Sequence, residues 1–250
     1  MDNIEYETLP PTAELGSYVK IFWRLQNKGS KPRKVVILPD GYFDLAFWRA
    51  DNVPFQTVLF GLGTTPAEYT IPPYSVSFCV SFKLPAAEYL LDQKIAPVID
   101  QIQVMSTESW VAGPVDLQNF ASFTERLTST MLSKLPPETD PRKMQLFELI
   151  YNSTGSISVQ QIADSTHWTS RQINRYFTQW FGLSLKTYCN ILRYRASFSH
   201  LRDGKLFPEL SYSDQAHFIK EVKKFSGVTP KDLALNKNDR FIQLSTLPPK

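Results

Sequence analysis

The stretch SVQQIADSTHWTSRQINRYF, residues 158–177, decides how the C-terminal part of the chain is read. Ser158 is followed three residues later by Gln161, and Thr169 by Gln172; each pair is a capping box that opens a helix. Starts at positions 158 and 169 leave room for a two-turn helix, a tight turn and a second helix. On the second helix Ile173 and Phe177 stand one turn apart and face inward with Ile162 and Ala163. Ser170, Arg171, Gln172, Asn174 and Arg175 are left on the outer face. Arginine matches guanine, and glutamine and asparagine match adenine, through paired hydrogen bonds in the DNA major groove. A helix that shows all three at its N-terminal end meets the requirement for a recognition helix. The plain alternative is a solvated amphipathic helix whose polar face has no partner.

Moving outward, Ser184 is expected to cap a long helix running to about Arg202, with Leu185, Tyr188, Cys189, Leu192 and Ala196 on one face. A second helix pair then closes on Tyr212-Ser213-Asp214-Gln215-Ala216-His217-Phe218. Ser213 is read as the cap, Phe218 and Val222 as the inward pair, and Asp214, Gln215, His217 and Lys220 as outward. Gly227 and Pro230 end the element in the manner of a C-terminal glycine and a later proline.

These residues carry a resemblance. Residues 156–233 resemble the DNA-binding domain of AraC-type transcription regulators, through Ile162-Ala163, Ile173 with Phe177, Phe181-Gly182-Leu183-Ser184, Tyr188 with Arg193, the Tyr212–Phe218 run and Gly227-Val228-Thr229-Pro230. The resemblance implies two helix-turn-helix units joined by a long helix, with double-stranded DNA as the partner. The chain departs from the family pattern twice. His167 stands where the turn of the first unit usually has glycine, and histidine tolerates a positive φ better than most residues. Between Leu201 and Tyr212 the chain is shorter than the family by roughly one and a half helical turns. There Pro208 can open a one-turn helix, with Leu206, Phe207 and Leu210 packing. The first unit is therefore expected to read bases, and the second to contact phosphates through Lys220, Lys223 and Lys224.

Charge and proline divide the chain at the same place. Residues 1–155 carry 13 Lys+Arg against 17 Asp+Glu, and residues 156–237 carry 12 against 6. A basic block on an acidic partner is an electrostatic footprint for nucleic acid, though such a surplus also falls within ordinary scatter. Of 18 prolines, 14 precede position 156, so the first part is expected to be turn-rich with short strands and the second helical. Strands are expected over Tyr18–Leu25, Lys34–Leu38, Phe43–Trp48, Phe55–Phe60 and Tyr74–Phe82. In Ser75–Phe82 small or polar residues alternate with Val76, Phe78, Val80 and Phe82, a strand with one buried face. Helices are expected over Pro85–Leu91, Asp116–Leu135 and Arg142–Asn152. The proline-rich run 135–141 is the linker candidate.

The first 110 residues resemble, more weakly, a sensor-type region that precedes such DNA-binding domains, through Leu38–Phe47, Phe60-Gly61 and Ser81–Pro85. That resemblance names no ligand. Asp40-Gly41 reads as turn chemistry; acid–base work by Asp40 and Asp44 is the rival reading, with no third polar partner visible. Trp23 and Trp48 either line an apolar pocket or are core, and Cys79 reads as a small core residue rather than a redox sensor.

The composition, 42% hydrophobic and 20% charged over 250 residues, is that of a globular protein. Three histidines, at 167, 200 and 217, exclude a multi-histidine metal site from the first half. Cys79 and Cys189 make no metal-binding pair and suit a reducing cytoplasm. The acidic, non-apolar N-terminus reads as no signal peptide, and no run of 18 apolar residues implies a membrane span.

The expectation is an α+β protein: a β-rich N-terminal domain (1–135), a linker with a short helix (136–152), an all-α domain with two helix-turn-helix units (153–237) and a tail (238–250). It is expected to bind DNA in the cytoplasm of a bacterial-type cell, with a small-molecule effector and a homodimer as further partners. No catalysis, no cofactor and no metal are expected. The alternative is a regulator that acts through protein partners and binds DNA weakly through a degenerate second unit.

Overall fold

A computed structural model describes residues 3–51, 53–111, 117–206, 212 and 214–247. It is an α+β fold, a β-sheet region followed by helices. The strands are β1 (Ile4–Leu9), β2 (Val19–Asn27), β3 (Arg33–Ile37), β4 (Phe43–Ala50), β5 (Val53–Phe60), β6 (Ala67–Ile71), β7 (Ser75–Phe82) and β8 (Ile102–Met105). Six form an antiparallel sheet in the order β1-β2-β7-β4-β5-β8, and β3 pairs with β6 in a separate two-stranded sheet. All five expected strands are present. The additional strands are β1, β6 and β8, and none carries an apolar run of its own. In β1, Glu5 and Glu7 are held by Arg24 at 3.4 and 3.3 Å, and Glu5 also by Lys28 at 2.6 Å.

The alternation in β7 divides two covered faces rather than a buried face and an open one. Phe78, Val80 and Phe82 join Phe22, Phe43, Leu45 and Phe47 in the main core. The opposite face is covered as well, because β3 and β6 lie over it, with Leu25, Val35 and Ile71 packed between the sheets. Both faces of β7 are therefore buried, and the small side chains Ser77, Cys79 and Ser81 sit on the narrower side.

Seven helices describe the path from the sheet to the second half: α1 (Pro85–Tyr89), α2 (Phe120–Lys134), α3 (Pro141–Asn152), α4 (Val159–Thr166), α5 (Ser170–Phe181), α6 (Leu185–Ala196) and α7 (Phe198–Arg202). Beyond them come α8 (Gln215–Ser226), α9 (Pro230–Leu235) and α10 (Ile242–Ser245). Asn119 caps α2 by accepting from Ser122 N at 3.0 Å; the expected start at Asp116 lies outside the described residues. The rings of Phe120 and Phe123 meet Phe78 and Phe47 at 5.0–5.2 Å between centroids. Asp140 caps α3, with Pro141 at its first position, where the missing N–H costs nothing.

The expected long helix from Ser184 to Arg202 is broken at Ser197. Its hydroxyl donates to Tyr194 O at 2.7 Å, and its N–H is shared between Arg193 O and Tyr194 O. A buried serine bonded back to its own helix competes with the regular ladder. Phe198, just past Ser197, lies with Ile191 and Tyr194 in a second core, formed by α6–α9 and α10 with Leu38 of the β region. Leu206 was expected to pack but is 40% exposed. Phe207, Pro208, Leu210 and Ser213 lie outside the described residues.

The main core runs without interruption from the sheet through α2 and α3 into α4, α5 and the first half of α6. Polar ties follow the same path. Tyr176 of α5 donates to Glu88 of α1 at 2.9 Å, and the Lys143 ammonium sits on the other oxygen of Glu88. Leu84 N donates to Tyr151 OH, Tyr151 and Tyr188 share a hydroxyl contact, and Tyr188 OH donates to Gly41 O, each at 2.9 Å. No helix among the described residues is long and apolar enough to cross a membrane.

Candidate nucleic-acid interface

The corner between α4 and α5 is built by local chemistry. Both capping boxes are complete: Ser158 with Gln161, and Thr169 with Gln172. His167 ends α4 in the left-handed conformation, at φ 56° and ψ 28°, the strained but tolerated geometry that histidine can take in place of glycine. Ile162, Ile173 and Phe177 are fully buried between the helices. Trp168 meets Tyr176 edge-on at 5.6 Å, and Arg142 of α3 lies over Trp168 at 5.4 Å.

The opposite face of α5 is open. Thr169, Arg171, Gln172, Asn174, Arg175, Thr178 and Gln179 line one shallow groove, and of these all but the half-buried Asn174 are exposed. Their availability for base reading differs. The Gln172 amide oxygen accepts both the N–H and the hydroxyl of Thr169 at 2.9 Å, so a bidentate contact with adenine would break the cap. The Asn174 amide donates to Ser170 O at 3.0 Å, and Ser170 is half-buried. Arg171 and Arg175 remain as the long exposed donors. Thr178 and Gln179 extend their stripe by the same helical spacing, which is legible in the sequence.

On α8 the cap is Asp214, whose carboxylate accepts from His217 N at 2.8 Å. Asp214 and Gln215 are exposed, while His217 is half-buried and its ring meets Tyr212 edge-on at 5.6 Å. Lys220, Lys223 and Lys224 are exposed. Both α5 and α8 pack against α6, to which Glu221 ties α8 by accepting from Asn190 at 3.0 Å. Gly227 closes α8 at φ 73°.

The inner side of the β region holds a second group of polar residues. Asp40 accepts from Tyr42 N at 3.1 Å, the expected turn contact. Asp44 has the partners that sequence reading did not find: Trp23 Nε1 donates to it at 3.4 Å and to Ser81 Oγ at 3.0 Å, and Ser81 donates to Asp44. Burial, and then the neighbouring Asp40 charge, push the Asp44 carboxyl up to about 7, against the pull of its hydrogen-bond donors. Burial likewise raises Asp40, opposed by Arg195 of α6 and by Lys20.

A carboxyl raised on folding makes the folded state bind the extra proton between pH 4 and 7. Its contribution is complete below pH 4 and is lost as pH rises through about 7. Asp44→Asn keeps an acceptor for Trp23 and Ser81 without the charge. Denaturant unfolding should show it about 2 kcal/mol more stable than the parent at pH 8 and equal at pH 4. That figure discounts the full shift because Asp44 is only half-buried. A difference independent of pH would show that Asp44 does not titrate in this range.

No curated protein matches the chain. Residues 7–103 match a family described as Domain of unknown function (DUF6597). Among solved structures, ToxT from Vibrio cholerae O395 is 10% identical, with a TM-score of 0.45 over 95% of this chain and 100% of that one. ToxT from Vibrio cholerae in the P21 form is 10% identical, with a TM-score of 0.41 over 94% and 98%. Unsaturated fatty acid bound wild-type ToxT from Vibrio cholerae strain SCE256 is 12% identical, with a TM-score of 0.38 over 93% and 94%. At scores under 0.5, the likeness bears on neither the activity nor the ligand of this chain.

Proposed function

We propose that this chain is a sequence-specific DNA-binding transcription regulator of the AraC type. In this reading α4 and α5 form the first helix-turn-helix unit, and α7 and α8 the second. Residues 153–237 bind DNA, residues 136–152 connect, and residues 1–135 form an effector-sensing or dimerisation domain. No reaction is catalysed. The observation that carries the reading is the outer face of α5, where Arg171, Arg175, Thr178 and Gln179 stand exposed on a helix whose other face is fixed in the core.

The roles differ from residue to residue. Arg171 and Arg175 supply bidentate contacts to guanine edges in the major groove. Gln172 holds the N-terminal turn, Ser170 and Asn174 shape it, and Thr178 and Gln179 extend the contact along the groove. On α8, Asp214 caps the helix and Gln215 opens it, His217 packs beside the start, and Lys220, Lys223 and Lys224 neutralise phosphates; Ser213, just before the cap in sequence, is assigned a contact to DNA as well. Those contacts make affinity fall steeply with salt. The half-buried Asp40 and Asp44 favour a polar effector, since a carboxylate accepts hydrogen bonds and a protonated carboxyl also donates one.

The test is selection of fragmented genomic DNA by the full-length protein at near-physiological salt, followed by sequencing. A two-part motif is expected, its halves about ten base pairs apart. On the enriched sequence Arg171→Ala should weaken binding by about 1–3 kcal/mol and relax the preference at one base position. An equal loss on all sequences would make Arg171 a phosphate contact only. No enrichment, with or without cell extract as a source of effector, would sink the reading and favour action through protein partners.

A further inference from the structure

The second core, around α6–α9, is joined to the rest of the molecule through α6 and at Gly227, which lies beside Pro66. It is joined as well where the segment 236–247 meets the free edge of β3, through residues 205 positions apart in sequence. Val36 N donates to Arg240 O at 2.6 Å, and Val36 pairs with Phe241 as a parallel bridge. Leu38 N donates to the Gln243 side-chain oxygen at 3.0 Å, and the Gln243 amide donates back to Leu38 O at 2.8 Å. The Arg33 guanidinium caps Asn238 O. One glutamine side chain thus imitates a strand partner, and the edge of β3 is closed by the chain's own backbone.

The segment is shaped beforehand for this seat. Asn236 adopts the left-handed conformation at φ 39°. Its side chain accepts from Phe241 N at 2.9 Å and donates to Ser245 Oγ at 2.8 Å. This turn aims Phe241 and Leu244, both buried, into the second core. Ile242 meanwhile packs on the core between the two sheets. The same short segment therefore touches the sheet pair that encloses Asp44 and the core that carries α8. Its polar bonds to the β region are three neutral ones and the Arg33 contact, each of modest net worth, so the two bonds of Gln243 are half of that set.

We infer that residues 236–247 are a clasp: the β3 edge is a docking groove for this segment, and through it the β region sets where α8 stands relative to α5. The consequence for DNA half-site geometry rests on the regulator reading; the clasp itself does not.

The test is a pair of distance measurements on the full chain by spin-label dipolar spectroscopy. Thr70→Cys on β6 is combined with Lys223→Cys on α8, and separately with Gln179→Cys on α5; all three positions are exposed, and both native cysteines are buried. Both distance distributions should be narrow in the parent. Gln243→Ala should broaden the β6–α8 distribution at least twofold and leave the β6–α5 distribution unchanged. Gln243→Glu, which keeps the acceptor for Leu38 N but sets a carboxylate against Leu38 O, should broaden it to an intermediate degree. A broad β6–α8 distribution in the parent, no change in either variant, or equal broadening of both distances would each overturn the clasp. None of these readings depends on DNA, so a failure of the regulator reading is seen separately in the genomic selection.

Discussion

Phe147→Ala is expected to lower the thermal unfolding midpoint by roughly 6–20 °C, the equivalent of about 3–5 kcal/mol for a chain of this size. Phe147 lies on α3, 1% exposed, with the rings of Tyr176, Phe177 and Phe181 at 6.0–6.2 Å. All three partners belong to α5. Truncation leaves a cavity under the helix that bears Arg171 and Arg175, and a closed aromatic cluster collapses poorly into such a space. The loss is a large share of the roughly 5–15 kcal/mol that a domain commands. It should also be felt in the sheet, because the core from β7 through α2 to α5 is continuous. Far-ultraviolet dichroism, dominated by helices, and the infrared amide band of the β-strands should therefore shift together. A helical transition that moves while the strand signal keeps its parental midpoint would show that the two regions are in contact but not energetically joined.

How much of this was legible beforehand depended on range along the chain. The capping boxes at Ser158 and Thr169 were readable because donor and acceptor lie three residues apart. The period of two in Ser75–Phe82 was readable because a central strand imposes it locally. β1 was not, since it is held by its ladder with β2, from Ile4 opposite Asn27 to Leu9 opposite Phe22. The division at Ser197 falls where a buried serine bonds back to Tyr194 O, a contact to which helix spacing is blind. Gln172 was assigned both a cap and a base contact, and only the hydrogen-bond geometry shows that its oxygen serves the cap. The ties from Tyr176 to Glu88, Tyr188 to Gly41 and Gln243 to Leu38 span 88, 147 and 205 positions. No local pattern marks either end of such bonds, which join α5, α6 and the segment 236–247 to the β region.

One such tie can be broken without touching α5 at all. Gly61 follows β5, donates its N–H to Gln101 O at 3.0 Å, and accepts no side chain: a Cβ there would stand 1.7 Å from Val98 O and 2.5 Å from Val98 C. Backbone atoms cannot yield as a side-chain tip can, so alanine must push residues 95–101 outward. That segment is the seat of the end of α5. Ile95 N donates to Trp180 O at 2.8 Å, and Ala96 and Ile99 press against Gly182, which closes α5 at φ 72°. Gly61→Ala is expected to cost about 3 kcal/mol, the upper part of the usual range for overpacking. Under the regulator reading it should also weaken binding to the selected DNA more than Arg171→Ala does, because every contact on α5 moves together rather than one being deleted. The control lies two residues on. A Cβ at Gly63 would meet only Pro39 Cα at 3.7 Å, an ordinary contact, so Gly63→Ala should leave unfolding and binding within about 0.5 kcal/mol of the parent. If the two alanine variants melt alike, residues 95–101 give way freely and do not hold α5. If Gly61→Ala melts early but the fraction still folded binds DNA at parental affinity, the segment supports the fold and leaves the placement of α5 to Phe147 and Glu88.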